Sequence, residues 1–281
     1  MLIIRTASEL ESFVAHEKAN GHSIGFVPTM GALHEGHLSL VERCVAENDA
    51  AVVSVFVNPT QFNNPDDLAT YPRCEENDFR LLAQAGAAVA FAPTVEEIYP
   101  DGTESKTFEL GQAAEVMEGV HRPGHFQGVA QVVSRLFALV RPDRAYFGEK
   151  DFQQIAVIRN MVRSEGIKVD IVACPIKRAD DGLALSSRNA LLTPEQRAIA
   201  PEIHAALAYS TEYACTHSVR ATHDTVVERL DAVPGLKVEY FEIVDARTLL
   251  PIDEWEEAPE VQGCITVYCG KVRLIDNIRY K

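Results

Sequence analysis

Pro28-Thr29-Met30-Gly31-Ala32-Leu33-His34-Glu35-Gly36-His37 follows an apolar run at residues 23–27 and opens onto Leu38-Ser39-Leu40-Val41-Glu42-Arg43. That order predicts a strand, a glycine-containing loop and a helix. The N–H groups of the helix's first turn, at the positive end of its dipole, should then face whatever sits above the strand end, and phosphate is the usual occupant. His34 and His37, three residues apart at the helix start, fall on one side, each a donor able to become cationic near neutral pH. Gly31 and Gly36 are expected to let backbone and a ligand ring approach closely, since a Cβ would crowd the ligand or forbid a positive φ. Two other readings stay open here: half of a zinc site completed by His121 and His125, or two ordinary surface imidazoles.

Working outward, the same alternation recurs. Ser8-Glu9-Leu10-Glu11 has capping-box spacing and starts a helical stripe that stops near Gly21. Residues 50–58 are nearly continuously apolar and β-branched, as in a strand covered on both faces. A turn-rich segment at 59–67, a helix at 74–84, a strand at 87–92, an amphipathic helix at 129–140, a short strand at 145–147, a helix at 151–164 and a strand at 169–174 follow. This is an α/β pattern: a Rossmann-like open parallel sheet with right-handed crossovers, ligands sitting at the carboxyl ends of its strands. Beyond Pro175 the pattern changes to helices from Thr193-Pro194 to about Val233 and then three strand-like runs at 238–244, 264–269 and 272–278. We therefore expect a first domain over residues 1–176 and a smaller α+β C-terminal domain over 177–281.

Composition narrows the function. The chain has 281 residues, with 26 Lys+Arg against 41 Asp+Glu and a net charge of −15, a poor surface for nucleic acid or anionic lipid. No apolar run approaches 18 residues and no secretion signal precedes the first helix, so neither a membrane span nor export is expected. Six cysteines without a C-x-x-C pair read as reduced, mostly buried thiols of a cytoplasmic protein.

Further clusters fall at strand ends. Asn58 and Gln61 place two amides where they suit a small ligand bearing hydroxyls and a carboxylate. In Gly148-Glu149-Lys150-Asp151, Lys150 should enter the crevice that holds His34 and His37, with Gln154 one helical turn on. Leu185-Ser186-Ser187-Arg188 combines hydroxyls and a guanidinium, a set that grips phosphate, at the domain junction where a loop can close over a nucleotide. His121-Arg122-Pro123-Gly124-His125 reads equally as a crevice wall or a structured turn. Asp78 is a weak candidate for holding magnesium, because acidic residues on a helix surface are usually only solvated.

The decapeptide at 28–37 resembles the H-x-G-H signature of the nucleotidyltransferase superfamily. Together with V-N-P-T-Q-F, R-P-G-H-F-Q-G-V, F-G-E-K-D-F-Q-Q and D-G-L-A-L-S-S-R-N, it resembles the pantothenate synthetase (pantoate-beta-alanine ligase) family over nearly the whole chain. Thr60 stands where the common family form has Met. The resemblance implies a cytoplasmic, magnesium-dependent homodimer that uses ATP to join (R)-pantoate to beta-alanine through a pantoyl adenylate, releasing AMP and diphosphate. It assigns ATP to Met30, Gly31, Ala32, Leu33, His34, Glu35, Gly36, His37, Gly148, Glu149, Lys150, Asp151, Lys177, Leu185, Ser186, Ser187 and Arg188. Pantoate falls to Gln61 and Gln154, and beta-alanine to Gln61. His37, His34 and Lys150 are the expected catalytic groups: His37 is the proton donor in similar proteins, and on physical grounds it and His34 stabilise charge on the leaving diphosphate.

Overall fold

The computed structural model describes residues 1–100 and 106–281. Its elements in order are β1 (Leu2–Ile4), α1 (Ala7–Ala19), β2 (Ile24–Thr29), α2 (Glu35–Glu47), β3 (Ala50–Val55), α3 (Pro65–Thr70), α4 (Glu75–Gln84), β4 (Val89–Phe91), α5 (Val95–Ile98), α6 (Glu118–His121), α7 (His125–Val140), β5 (Arg144–Gly148), α8 (Phe152–Ser164), β6 (Asp170–Cys174), α9 (Pro194–Ile199), α10 (Glu202–Tyr213), α11 (Val219–Asp231), β7 (Leu236–Asp245), β8 (Val261–Cys269) and β9 (Val272–Arg279).

The first six strands form one parallel sheet in the order β1-β4-β3-β2-β5-β6. From β2 the chain moves outward through β3 and β4, then crosses back to place β5 on the other side of β2. The order thus reverses between β2 and β5, and in an open α/β sheet the ligand crevice forms at that point, beyond the strands' carboxyl ends. β3 reads A-A-V-V-S-V because helices cover both its faces, and Val52 and Val53 are fully buried. Each buried valine contributes about 1.5 to 3 kcal/mol. The edge strand β1 was not expected. It has three residues, two of them exposed, and only its pairing with β4 (Leu2 opposite Val89) makes it a strand.

The C-terminal elements form an antiparallel sheet, β7-β8-β9, with α10 and α11 packed against it around Leu207, Val226, Leu230, Phe241, Ile265 and Val267. A register shift between Val238 and Tyr240 makes a bulge at Glu239, and such bulges re-aim a side chain. Glu239 meets Arg273 at 2.5 Å, and Arg273 also donates to Glu118, the first residue of α6, at 2.6 and 2.8 Å. Tyr240 Oη and Thr266 Oγ1 complete the shell of Glu118. This ionic cluster ties the small sheet to α6 of the first domain. Four of the six free cysteines are buried, whereas Cys74 and Cys215 are exposed. Among the described residues, no helix is long and apolar enough to cross a membrane.

Candidate functional site

Thr29 at the end of β2 begins the signature loop. Its Oγ1 donates to the Ser54 carbonyl at 2.6 Å and accepts from the Gly31 N–H at 3.2 Å. Gly31 has φ +82°, and a Cβ there would lie 2.9 Å from Asp78 Oδ2. The glycine is therefore needed for a left-handed turn over a carboxylate rather than for ligand approach.

Asp78 itself requires a correction. Its side chain is only 1% exposed, and its oxygens accept the N–H groups of Ala32 at 2.9 Å and Leu33 at 2.7 Å. Burial pushes its carboxyl up, against the pull of those two donors. A carboxylate committed in this way clamps the loop and is not placed as a magnesium ligand. Asp78→Ala should cost about 2 to 4 kcal/mol in urea unfolding, since two buried donors lose their acceptor. It should leave the magnesium dependence of turnover unchanged; an altered magnesium requirement at unchanged stability would return Asp78 to a metal site.

The imidazoles depart from expectation in an informative way. His34 caps α2 with its side chain: its Nδ1 accepts from Gly36 N–H at 3.1 Å, and its own N–H donates to His37 Nδ1 at 3.4 Å. Gly36 is required because a Cβ would stand 2.8 Å from His34 Cε1. The Ala32, Leu33, His34 and Gly36 N–H groups are thus all satisfied within the protein, whereas the sequence suggested free donors at the helix start. Each Nδ1 is an acceptor, so each neutral ring carries its proton on Nε2, and the rings lie 4.0 Å apart lining the crevice. Burial, then the charge of Lys150, lowers His34 to about 4; burial, then His34 and Lys150, holds His37 well below its ordinary value. Both are neutral N–H donors near pH 7 in the ligand-free protein, not cations.

Lys150 comes from the short turn Glu149–Asp151 between β5 and α8, with its ammonium 3.8 Å from Asp151. Gly148, Lys150, Asp151 and Gln154 line the same crevice as Met30, His34, Gly36 and His37. Lys177, Leu185, Ser186, Ser187 and Arg188 form its other wall. Gly31, Ala32, Leu33, Glu35 and Glu149 do not line it; they shape the loops behind.

The amide side is wired from behind. Asn58, 1% exposed, accepts from Tyr99 Oη at 2.9 Å and from Thr60 Oγ1 at 3.1 Å. Its Nδ2 donates to the Gly128 carbonyl and to Gln61 Oε1 at 3.1 Å, which leaves Gln61 Nε2 to face Met30 Sδ and the crevice. Thr60, the departure from the common family form, thus helps orient Gln61 at one remove. Gly128 permits this approach, because a Cβ there would sit 2.3 Å from the Thr60 carbonyl oxygen.

Arg188 is held by a residue the sequence did not single out. Its Nε and Nη2 donate to Asp67 at 3.2 and 2.9 Å, and its guanidinium lies 5.5 Å from the Tyr71 ring centroid. Asp67 read only as part of a turn, and a pairing across more than a hundred residues has no local signal. Ser187 Oγ donates to the Ala32 carbonyl at 3.0 Å, tying this loop to the signature loop.

The four histidines do not gather as a zinc site. His121 stacks on Tyr240, and His125 donates through Nδ1 to the Gln61 carbonyl at 2.9 Å while Nε2 accepts from Arg122 at 3.2 Å. Burial, then Arg122, lowers His125 to about 4. Among the described residues, no group of three or more His, Cys, Asp or Glu is placed to hold a metal ion.

A family model described as pantoate-beta-alanine ligase matches residues 2–279. Pantothenate synthetase of Porphyromonas gingivalis is 59% identical over 281 residues, covering all of both chains, and that of Bacteroides thetaiotaomicron is 55% identical over 100% of this chain and 99% of its own. A crystal structure of pantothenate synthetase from Thermus thermophilus superposes with a TM-score of 0.94 at 47% identity, covering 100% of this chain and 99% of that one. One of pantoate-beta-alanine ligase from Francisella tularensis, complexed with beta-gamma ATP and beta-alanine, gives 0.81 at 35% identity over 100% and 98%. The crevice at the sheet's switch point, its paired imidazoles and these full-length matches agree: the chain belongs to the pantoate-beta-alanine ligase family.

Proposed function

We propose that this chain condenses (R)-pantoate with beta-alanine in two steps at this crevice, through a pantoyl adenylate, releasing AMP and diphosphate. The observation that carries the reading is that one crevice is lined by two chemically distinct sets, the cations Lys150, Lys177 and Arg188 with the neutral imidazole donors His34 and His37, and the amides of Gln61 and Gln154. The first set suits a triphosphate and the second a hydroxylated carboxylate. The relative from Francisella tularensis, complexed with beta-gamma ATP and beta-alanine, supports the same pairing of ligands.

In the first step pantoate's carboxylate attacks the α-phosphorus of ATP, and diphosphate leaves. Lys150 and the Nε2–H groups of His34 and His37 stabilise the charge that develops on it, already aimed and needing no reorganisation. Arg188 exchanges its Asp67 partner for phosphate as the 177–281 domain closes over the nucleotide. In the second step the beta-alanine amine attacks the activated carbonyl and AMP departs, with Gln61 touching both acids. Among the described lining residues the only carboxylate is Asp151. That donor set fits magnesium that arrives on the nucleotide's phosphates and keeps several waters. We further propose a cytoplasmic homodimer whose partners are these small molecules, not nucleic acid or membrane.

The test is AMP release measured with and without each acid. AMP should accumulate catalytically only when pantoate and beta-alanine are both present, and pantoate alone should release diphosphate in a burst near one equivalent. Equal turnover with an unrelated carboxylic acid would refute the reading.

Gln154→Ala offers a finer check. An analogue of pantoate without its hydroxyls leaves buried amides unpaired, at about 1 to 3 kcal/mol each, so the wild-type protein should adenylate it poorly. In the variant the preference for pantoate should shrink by on the order of tenfold while ATP affinity holds. Loss of ATP binding with an unchanged preference would move Gln154 to the nucleotide side.

A further inference from the structure

Strand β9 breaks its apolar pattern with Asp276-Asn277, 5% and 4% exposed, at the face that meets the crevice loops. Neighbouring residues of a strand point oppositely, and each of these takes hold of a different loop. Asp276 pairs with Arg178 at 2.6 and 2.9 Å, and Arg178 sits at the base of the loop that ends in Ser186–Arg188, where the Lys177 carbonyl accepts the Leu185 N–H. Asn277 reaches the other way. Its Nδ2 donates to the Glu149 carbonyl at 2.8 Å and the Lys150 carbonyl at 3.0 Å, and its Oδ1 accepts from Gln262 Nε2 at 2.6 Å.

The direction of these bonds is forced. A turned amide would set Oδ1 against two carbonyl oxygens, so the carbonyls direct Nδ2 toward the turn and leave Oδ1 for the Gln262 N–H, which holds the amide from its other end. The three-residue turn that carries Lys150 has no side-chain cap of its own. Both of its first two carbonyls instead accept from one amide of the C-terminal sheet. Lys150 acts as a charge aimed at a developing anion, and a 1 Å misplacement of such a group costs about a hundredfold in rate.

We infer that Asn277, oriented by Gln262, is a positioning residue that sets Lys150 for the adenylation step from the C-terminal sheet. The inference rests on the function proposed above for Lys150. It makes the small domain part of the catalytic geometry even before any closure, because the last strand of the chain holds the turn at which diphosphate charge would be met.

Two substitutions test it in the full chain. Asn277→Ser shortens the side chain so that it no longer spans both carbonyls. Gln262→Glu is nearly isosteric, but its carboxylate accepts where the amide donated, and it should draw Nδ2 away from the turn. Each should lower the rate of the diphosphate burst on the order of 30-fold, within the cost of a misplaced group, while KM for pantoate changes little. Hydrogen exchange of the peptide spanning residues 148–153 should rise in both variants, and that readout does not depend on any reaction. Gln262→Met, which neither donates nor repels, should fall between wild type and Gln262→Glu. Wild-type burst rates together with unchanged exchange at 148–153 would overturn the inference. A uniform fall in stability, with rate and pantoate KM shifting in step, would also overturn it by making Asn277 merely structural. A wild-type protein that fails to form AMP would instead refute the proposed function, and the exchange measurement would still decide whether Asn277 orders the turn.

Discussion

Lys150→Ala should slow adenylation by on the order of 100-fold or more while pantoate affinity stays near its wild-type value, the loss characteristic of removing one preorganised electrostatic stabiliser. Lys150 is 17% exposed and its nearest carboxylate, Asp151, is 3.8 Å away, so its charge remains available to a ligand in the crevice. It also acts on its neighbours, adding to the burial that lowers His34 to about 4. Removing it should therefore raise the His34 pKa, though not to the ordinary histidine value, because burial is the larger cause. Single-turnover diphosphate release and a proton-detected histidine titration measure the two effects. Near wild-type release in the variant would take Lys150 out of the mechanism.

The second large effect concerns stability. Arg273→Met should cost about 3 to 5 kcal/mol, because it leaves Glu118 and Glu239 as neighbouring carboxylates without the cation between them. Burial alone would raise the Glu118 carboxyl, but Arg273, with Tyr240 and Arg122, outweighs it and holds the group at about 2. The sign follows from linkage. A carboxylate whose folded pKa is depressed contributes its stability above the unfolded value near 4.5, and that contribution is lost as pH falls toward 2. The gap between wild type and variant should thus be full near pH 7 and shrink between about pH 4.5 and 2. Denaturant midpoints across that range provide the comparison; a gap independent of pH would mean that lost packing, not lost charge, sets the cost.

His34 and His125 contribute a dependence of the same sign in a higher pH window. Each is lowered to about 4 by burial first, so between about pH 6.5 and 4 the unfolded chain binds protons that the folded chain does not. Stability from these two groups is therefore complete above 6.5 and falls on acidification through that window. A neutral pair of imidazoles at pH 7 also bears on chemistry, since a bound triphosphate would favour their protonation and couple nucleotide binding to proton uptake.

Several features were legible from residues alone, and each has a local cause. The two-faced apolar run at 50–55 could only be an interior parallel strand, and the glycines and histidines at 31–37 could only form a tight strand-to-helix turn. Lys150 and Gln154, one helical turn apart after a strand, had to share a side. The sequence by itself thus determined the alternation of strands and helices, the parallel sheet with its following α+β elements, and the motifs that define the crevice. What it could not determine was which groups the folded chain turns inward upon itself. Asp78 read as a surface acid because its partners, the N–H groups of Ala32 and Leu33, lie 46 and 45 residues away. His34 and His37 read as future cations because burial, which keeps them neutral, is a property of the assembled walls. Asp67 on Arg188, Arg273 between two glutamates and Asn277 on the Lys150 turn join segments about 34 to 155 residues apart. Hydrogen-bond direction, desolvation and charge pairing act through space, and only the tertiary structure brings those atoms within range of one another.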